Sequence, residues 1–476
     1  MNTKNFNTIY TDRGHPFSIK DYSPNIQKIW NEKCRDVDEI VTSLPSNFNF
    51  ATSFLAAQAR GFLRALSKRK DFEHIEFFSG FLLEPYEFLS WPVTTYRTFY
   101  YGPVERLLQY KMGKTVHFIP KQYTQVCSTI DHYTPEYVVH SGTTPDKDGY
   151  INLSLNNAAD EPCLRKNLKS PNGKVIIEVN TYNPWVAGDP KFGDHKIHLS
   201  EVDFVYENHE PLFQLPLIEA TEKEKSIGKT VCQYIKNKAT IQFGIGGIPN
   251  YSATLLTDRK DIGIHTEMLT DWIVDLVQAG VISNKYKEVY KDISVCGFIV
   301  GTDKIYDWVH LNPEVCILPI NYVNDISIVS QISNFVSLNA GLMIDFSGQV
   351  CSESLGHRQY SGTGGQFEFV QGAYLSPGGK SLICIKASKR IKDRLNSNIL
   401  PSLPQGAAVT VLRNFTDTII TEYGAADLLY QSRLERAKSL IQIADPECKE
   451  NLIEECVKLG LSKETKGFGK ISQKAL

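Results

Sequence analysis

The chain has 476 residues, of which 42% are hydrophobic, and this length predicts two or three domains rather than one. Charged residues make up 22% of the chain and the formal net charge is −2, so charge gives no broad attraction to nucleic acid or to anionic membranes. The sequence has no run of about 18 or more uninterrupted apolar residues, which argues against a membrane-spanning helix. The substrate therefore has to be inferred from local motifs.

The N-terminus and the cysteines predict a cytoplasmic location. The first residues, Met-Asn-Thr-Lys-Asn-Phe-Asn, lack the apolar core of a signal peptide. None of the ten cysteines forms a Cys-x-x-Cys pair, and several lie in apolar runs such as Leu382-Ile-Cys384. We therefore expect buried, reduced thiols rather than a disulfide scaffold or a zinc site, and we expect no bound metal.

The first half of the chain alternates between helical patterns and short apolar runs. Residues 1–33 are polar and are predicted to form an N-terminal arm. The apolar runs after it predict strands at Val116–Ile119, Tyr137–His140, Val175–Val179 and Val202–Val205. Strands that alternate with helices are typical of an α/β fold with a parallel or mixed sheet.

A second α/β unit is predicted to begin near residues 211–221. Thr221-Glu-Lys-Glu224 fits a capping box, in which the threonine side chain caps a helix and the glutamate reaches back to it. Thr240–Phe243 follows as a predicted strand. The predicted domains are therefore an N-terminal one over 34–215 and a C-terminal one over 216–476.

Glu267 is a candidate catalytic carboxylate. Ile262–His265 is predicted to be a strand, which places Glu267 between the strand end and the next helix. In open α/β sheets, ligands bind at the carboxyl ends of strands. The turn that starts at Gly244 also follows a strand and lies 23 residues earlier (267 − 244), so neighbouring strand ends would bring the two together. A lone glutamate at a strand end is more often an ion-paired or capping residue, so the local pattern leaves both interpretations open.

The turn Gly244-Ile-Gly246-Gly-Ile-Pro249 allows three interpretations. Its backbone N–H groups at a helix start suit a phosphate or an oxyanion. It also resembles the Gly-x-Gly-x-x-Gly of dinucleotide-binding proteins, except that Pro249 takes the place of the third glycine. The third interpretation is a tight strand-to-helix turn that binds nothing.

A second glycine-rich segment, Ser361-Gly-Thr-Gly364-Gly365-Gln366, would let the backbone approach a ligand and offer N–H groups to a developing oxyanion. A flexible loop or bulge is the alternative. Asn339 is a candidate polar contact, although the local pattern favours a turn side chain bonded to nearby backbone. Two other catalytic patterns are not supported, because His265-Thr-Glu267 lacks the Pro-Cys-x-x-Cys of zinc deaminases and the chain has no Gly-x-Ser-x-Gly elbow.

In this order, the motifs resemble the acetyl-CoA hydrolase/transferase family of class I CoA-transferases, and most of all its 4-hydroxybutyrate and butyrate:acetate CoA-transferase branch. The resemblance runs from about residue 34 to about 460, and the ordered set is specific although each motif alone is weak. The motifs are Phe99-Tyr-Tyr-Gly102-Pro103, Pro145-Asp146 with Gly149-Tyr150, Ile197-His-Leu-Ser200 with Asp203, Gln242-Phe-Gly244-Ile-Gly246-Gly-Ile-Pro249, Gly263-Ile-His265-Thr-Glu267-Met268, Asp345 with Gly348-Gln-Val350, Gly362-Thr-Gly-Gly365-Gln366 and Thr421-Glu-Tyr-Gly424-Ala-Ala-Asp427.

The resemblance implies two related open α/β domains with the active site between them, usually in a homodimer. The family's nucleophilic glutamate falls on Glu267, which would form a glutamyl-CoA thioester. The family's CoA contacts fall on Gln242, Phe243, Gly244, Ile245, Gly246, Leu342 and Gly365. Asn339 and Gly364 stay candidate oxyanion or polar contacts.

The expected function is transfer of coenzyme A from a short-chain acyl-CoA to a carboxylate such as acetate, with ping-pong kinetics. The CoA thioester is then a substrate, and no cofactor is expected. The expected partners are a small-molecule acyl-CoA and a carboxylic acid, without nucleic acid or membrane. The alternatives are acyl-CoA hydrolysis on the same scaffold, a non-catalytic CoA-binding subunit, and a dinucleotide-dependent oxidoreductase, which Pro249 disfavours.

Overall fold

The computed structural model describes residues 13–216 and 218–462, in which helices and strands alternate. The helices are α1 Pro24–Lys33, α2 Val37–Ser43, α3 Arg60–Leu66, α4 Pro103–Tyr110, α5 Val126–Tyr133, α6 Asp160–Asn167, α7 Glu222–Tyr234, α8 Gly247–Thr254, α9 Trp272–Gln278, α10 Asp303–Val309, α11 Ile320–Val323, α12 Ile326–Val329, α13 Gln366–Leu375, α14 Arg433–Gln442 and α15 Lys449–Lys458. The strands are β1 Asn47–Thr52, β2 His74–Ser79, β3 Thr94–Thr98, β4 Val116–Phe118, β5 Tyr137–Gly142, β6 Tyr150–Asn152, β7 Lys174–Val179, β8 Lys196–His198, β9 Phe204–Glu207, β10 Thr240–Phe243, β11 Gly263–Leu269, β12 Ser294–Ile299, β13 Val315–Ile317, β14 Phe335–Ala340, β15 Met343–Asp345, β16 Val350–Cys351, β17 Ser354–Leu355, β18 Arg358–Gln359, β19 Lys380–Cys384, β20 Ser388–Ile391, β21 Arg394–Ser397, β22 Ile399–Leu400, β23 Thr418–Thr421 and β24 Gly424–Asp427.

The chain divides into two compact units that are not contiguous in sequence. Unit 1 comprises Met1–Leu217, Ile264–Val274 and Tyr290–Asp325, and unit 2 comprises Ile218–Gly263, Asp275–Val289 and Ile326–Leu476. Glu267 therefore belongs to unit 1, whereas the glycine turn that starts at Gly244 belongs to unit 2. The division into a domain over 34–215 and a domain over 216–476 concerns contiguous stretches of chain and stays a prediction.

Unit 1 contains a seven-stranded sheet in the order β4-β3-β2-β1-β5-β7-β9, and all its neighbouring strands run parallel. The chain winds from β1 to β4 on one side and then crosses to β5 on the other, so the strand order reverses between β1 and β5. Open α/β sheets bind ligands in the crevice outside the carboxyl ends of the strands at such a switch point. The parallel α/β architecture predicted for this half of the chain is confirmed. The observed strand β9 starts at Phe204, two residues after the start predicted at Val202.

Both faces of this sheet are buried, which explains why its strands appear in the sequence as short continuous apolar runs. Successive side chains of a strand point to opposite faces. In β7, Ile176 accordingly packs in one apolar cluster with Phe50 and Phe77, while its neighbours Val175 and Ile177 pack in another.

The described part of the predicted arm packs on unit 1. In α1, which the Ser23 side chain caps by accepting from the backbone N–H of Ile26, Ile26 and Trp30 are buried in the same cluster as Val175. Residues 1–12 of the predicted arm lie outside the described residues.

Unit 1 also holds most of β11, followed by β12 and β13, which pair in parallel. Unit 2 contains the parallel series β10-β14-β19-β23, with β24 antiparallel at its edge. The observed bounds of β10 are those predicted, and α7 carries the predicted capping box at Thr221. Pro249 lies in the first turn of α8, where a proline costs no hydrogen bond.

None of the helices in the described part of the chain combines the length and the apolar character that crossing a membrane would require. Nine of the ten cysteines are buried and Cys34 is half-buried, as their apolar surroundings predict.

Candidate active site

Glu267 lies within a strand rather than after one. The sequence pattern ends this strand at His265, but β11 continues to Leu269, because its last residues pair with Phe298 and Ile299 of β12. The predicted position of Glu267 between strand and helix is therefore wrong, since the pattern does not reveal the neighbouring strand that extends β11. Every other residue of β11 is buried, whereas Glu267 is half-buried. The backbone that carries the Glu267 carboxylate is thus fixed by the pairing of β11 with β12.

Asn324 contacts the Glu267 carboxylate directly. Its side-chain nitrogen donates a hydrogen bond to Oε2 of Glu267 at 2.8 Å. Asn324 is fully buried and ends α11, where its backbone N–H bonds to the carbonyl of Ile320. Asn324 is not among the residues predicted from the sequence, where its local signal is only an asparagine at the end of the short segment Pro319-Ile-Asn-Tyr-Val-Asn324.

Gly297 allows α11 to approach Glu267. It lies opposite Glu267 in the register of β11 and β12, since the pairs on either side are Thr266 with Cys296 and Met268 with Phe298. A Cβ at Gly297 would collide with Cδ1 of Ile320. The missing side chain therefore lets α11 pack against the sheet and bring Asn324 to the carboxylate.

His265 ties β11 to the same helix. It is fully buried and points to the same face of the strand as Glu267, two residues later. Its Nε2 lies 2.7 Å from the carbonyl oxygen of Val323, and because a carbonyl can only accept, Nε2 carries the hydrogen. Two hydrogen bonds, one at His265 and one at Glu267 of the same strand, thus hold α11 over the Glu267 carboxylate.

A buried aromatic group connects this region to the switch point of the first sheet. The ring of Phe298, on β12, lies 6.0 Å from the ring of Phe54 and 6.3 Å from that of Tyr123. Phe54 follows β1, and its carbonyl accepts a hydrogen bond from the Asn156 side chain at 2.9 Å. The strand beside Glu267 therefore packs where the sheet order reverses, which is the edge expected to bind ligands.

The glycine turn of unit 2 forms a cleft of its own, at the carboxyl ends of β10 and β14. Its volume is 190 Å³, and it is lined by Glu224, Gly244, Ile245, Gly246, Gly247, Ile248, Pro249, Leu338, Asn339, Ala340 and Cys384. Gly246 caps α8 with φ +120°, which only glycine adopts without strain. A helix N-terminus that opens on a cleft suits an anion.

Two predicted polar residues meet beside this cleft. The side-chain nitrogen of Asn339 on β14 donates to Oε1 of Gln242 on β10 at 3.3 Å. Gln242 is 4% exposed and Phe243 is fully buried, whereas Ile245 is 40% exposed. The structure therefore brings Gln242, the turn Gly244–Gly246 and Asn339 together.

Leu342, Gly364 and Gly365 are not among the residues that line this cleft. Leu342 is half-buried and bonds through its N–H to the carbonyl of Cys351. Gly364 has φ +59° and Gly365 is the N-cap of the ten-residue helix α13, so the two glycines lie at a helix start. The meeting of all these residues with Glu267 at one site stays a prediction.

One ion pair lies at the rim of the cleft. The Lys386 ammonium is 3.1 Å from the Glu224 carboxylate, and the sequence analysis missed both residues as site candidates. Burial raises the pKa of Glu224, but hydrogen bonds from Thr221 and the charge of Lys386 outweigh it, so the pKa lies below its ordinary value. Glu224 is therefore ionised, and its negative charge compensates part of the positive charge of Lys386.

Two family models match the chain. The acetyl-CoA hydrolase/transferase N-terminal domain matches residues 25–219, and the C-terminal domain of the same name matches residues 301–456. The 4-hydroxybutyrate coenzyme A transferase of Clostridium kluyveri is 40% identical over 312 residues, which cover 65% of this chain and 70% of that protein. The butyryl-CoA:acetate CoA-transferase of Anaerostipes caccae is 33% identical over 445 residues, which cover 90% of this chain and 97% of that protein. The crystal structure of RipA from Yersinia pestis is 31% identical, with a TM-score of 0.84 over 92% of this chain and 100% of that one.

Proposed function

The chain belongs to the acetyl-CoA hydrolase/transferase family and is a CoA-transferase, and on this premise we propose that it moves coenzyme A from a short-chain acyl-CoA to a carboxylate such as acetate, with Glu267 as the covalent nucleophile. The observation that supports this role most directly is the geometry of the carboxylate. Glu267 is the one residue of β11 that is not buried, and Asn324 fixes one of its two oxygens.

In the first proposed step, Oε1 of Glu267 attacks the carbonyl carbon of the acyl-CoA. The carbon–sulfur bond breaks, CoA leaves as thiolate, and a mixed anhydride joins Glu267 to the acyl group. An anhydride is far more reactive than either carboxylate, so two easier steps replace one difficult exchange. No step needs a metal ion or a redox cofactor.

In the second step, the CoA thiolate attacks the glutamyl carbonyl carbon. The bond from that carbon to Oε1 breaks, the donor acid leaves with Oε1, and a glutamyl-CoA thioester that retains Oε2 is formed. Negative charge develops on Oε2 as the thiolate attacks, and the Asn324 amide already donates to that oxygen. An acceptor carboxylate then runs the sequence in reverse.

The glycine segments are proposed to bind the CoA moiety. N–H groups at the starts of α8 and α13 are suited to phosphate oxygens and to a developing oxyanion. The proposed CoA contacts are Gln242, Phe243, Gly244, Ile245, Gly246, Leu342 and Gly365, with Asn339 and Gly364 as further polar contacts. Binding energy from the distant part of CoA can then be used at the reacting carbon.

The test is the intact mass of the protein after incubation with a short acyl-CoA and no acceptor, followed by peptide mapping. We expect a CoA-sized adduct on Glu267 that added acetate discharges. Glu267→Gln is expected to form no adduct and to lose transfer activity, while Glu39→Gln, at an exposed position of α2, behaves as the wild type.

Two other outcomes would contradict the proposal. Thiol release without an adduct, at a rate that acetate does not change, would make the protein an acyl-CoA hydrolase. Binding of CoA without thiol release or adduct, across several acyl-CoAs, would make it a non-catalytic binding subunit. Full transfer activity in Glu267→Gln would remove Glu267 from the mechanism.

The proposed location is the cytoplasm and the proposed assembly is a homodimer, as the family resemblance implies. Light scattering on the purified protein is expected to give twice the 53.7 kDa mass of one chain.

A further inference from the structure

A buried carboxylate lies close to the second glycine-rich segment, in unit 2. Glu353 is located between β16 and β17 and is only 6% exposed. Removing a carboxylate from water is costly unless its oxygens accept hydrogen bonds, so such a group is held by well-placed donors. The motifs that suggest the CoA-transferase reaction do not include Glu353.

Three neutral side chains donate hydrogen bonds to the Glu353 carboxylate. The hydroxyl of Thr410 lies 3.0 Å from Oε1, and the hydroxyl of Thr363 lies 3.0 Å from Oε2. The side-chain nitrogen of Gln359 lies 3.4 Å from Oε2. An ionised carboxylate can only accept, and hydrogen bonds to a charged acceptor are about twice as strong as those between neutral groups. The carboxylate therefore fixes the position of the Thr363 hydroxyl.

The backbone of Glu353 holds the same segment of chain. Its carbonyl oxygen accepts from the N–H of Tyr360 at 2.8 Å and from the N–H of Ser361 at 3.0 Å. Residues 360–363 belong to neither a helix nor a strand. Hydrogen bonds to the backbone and side chain of Glu353 thus take the place of a strand ladder along this segment.

Glu353 is itself anchored through Thr410, which is 5% exposed. The N–H of Thr410 donates to the carbonyl of Val350 at 2.9 Å, and its hydroxyl oxygen accepts from the N–H of Ser352 at 3.0 Å. A hydroxyl that accepts from Ser352 still has its own hydrogen for Glu353, so these contacts form one connected network.

The segment held by Glu353 leads directly to predicted CoA contacts. Thr363 is followed by Gly364, with φ +59°, and by Gly365, the N-cap of α13. After these glycines, Phe369 and Val370 bury α13 in unit 2, since they are 1% and 0% exposed. The two glycines therefore lie between a fixed hydroxyl and a packed helix, and this restricts a backbone that glycine would otherwise leave free.

We propose that Glu353 is a positioning residue for CoA binding, and that it acts through the Thr363 hydroxyl to hold Gly364 and Gly365 in the conformation that binds. The inference rests on the proposed function, in which Gly365 contacts the CoA moiety. A loop that is already ordered loses less conformational entropy when its ligand binds. Releasing Thr363 therefore weakens CoA binding.

The test measures the Kd of free CoA for the full chain by titration calorimetry, together with the Tm. Thr363→Val removes the hydroxyl and Glu353→Gln removes the charge, each with little change in side-chain shape. We expect each variant to raise the Kd about tenfold, as for one weakened hydrogen bond to a charged group. The double variant should bind no more weakly than the weaker single variant, because both changes remove the same contact. Thr363→Ser keeps the hydroxyl and is expected to keep the wild-type Kd.

Thr418→Val is the matched control. Thr418 is fully buried on β23 in unit 2, and its hydroxyl donates to the Asp427 carboxylate at 2.7 Å. This variant therefore also loses a hydrogen bond from a threonine to a carboxylate. We expect it to lower the Tm and to leave the Kd of CoA unchanged.

The inference is overturned if Thr363→Val and Glu353→Gln lower the Tm but keep the wild-type Kd, since Glu353 would then only stabilise the fold. Additive losses of affinity in the double variant would also overturn it, because Glu353 would not act through Thr363. Failure of the proposed function gives a different result. The wild type would bind CoA and form no adduct with any acyl-CoA, and the comparison of Kd values would still decide the role of Glu353.

Discussion

At the scale of single residues, the chemistry proposed for this enzyme depends on the pair formed by Glu267 and Asn324. The amide donates to an oxygen that, in the proposed mechanism, becomes an oxyanion each time the glutamyl carbonyl is attacked, and it does so from a fully buried position at the end of a short helix. A donor that is already oriented needs no reorganisation in the transition state. It therefore stabilises the oxyanion more than a water molecule from solvent would.

Asn324→Ala tests this role. The variant is expected to form the glutamyl-CoA adduct roughly 10²–10³-fold more slowly, because one oxyanion donor is lost. The KM for acyl-CoA should change little, since the CoA moiety is proposed to bind at the glycine segments instead. Rapid-quench measurements of the adduct mass separate the two quantities. A large rise in KM with unchanged kcat would show that Asn324 acts in substrate binding instead.

At the scale of secondary-structure elements, the position of α11 over β12 decides whether Asn324 reaches Glu267. Gly297 permits this approach, because a Cβ there would meet Cδ1 of Ile320. A helix of four residues has little stability of its own, so its place depends on packing.

Gly297→Ala is therefore expected to destabilise the protein by about 1–3 kcal/mol and to slow adduct formation, because overpacking pushes α11 away from the sheet. The double variant with Ile320→Val, which lacks the Cδ1 atom, should recover part of both losses. Urea unfolding and adduct rates for the single and double variants form a double-mutant cycle. Strictly additive effects would contradict the packing argument.

At the scale of the whole molecule, a buried carboxyl in unit 1 makes stability depend on pH. Burial raises the pKa of Glu161 to about 7, although Arg165 and Asn157 act in the opposite direction. Between the ordinary glutamate value of 4.5 and about 7, the folded state binds more protons than the unfolded state. Stability from this group is therefore present at low pH and is lost as pH rises through that window.

Glu161→Gln should remove this dependence. The free energy of unfolding of the wild type, measured relative to the variant, is expected to fall between pH 4.5 and 7 by an amount on the order of 3 kcal/mol. Urea unfolding at several pH values gives the comparison. Parallel pH profiles for the two proteins would show that Glu161 does not titrate in this range.

Much of the fold could be predicted from the sequence because the signals are local. The bounds of β10 and the capping box of α7 follow from apolar runs and from residues three positions apart. The end of β11 could not be predicted, because it depends on pairing with Phe298 and Ile299, some thirty residues away along the chain. Local patterns describe what a segment can form, and its neighbours in space decide where it stops.

The residues of the candidate site likewise differ in whether local sequence patterns predict them. Glu267 and the glycine turn stand out in the sequence, since their motifs are short and contiguous. Asn324 does not, because its role arises from a hydrogen bond that spans 57 residues of the chain.

The hydrogen bond from Asn324 also makes the two carboxylate oxygens of Glu267 differ in whether they are exchanged during the proposed reaction. In the proposed mechanism, Oε1 departs with the donor acid in each cycle and is replaced by an oxygen of the acceptor, whereas Oε2 stays where the amide holds it. As long as that bond prevents the carboxylate from flipping, one oxygen is permanent and the other is renewed at every turnover. By this proposed mechanism the side chain is partly rebuilt from its substrates, and after its first cycle the enzyme carries an oxygen atom that it was not synthesised with.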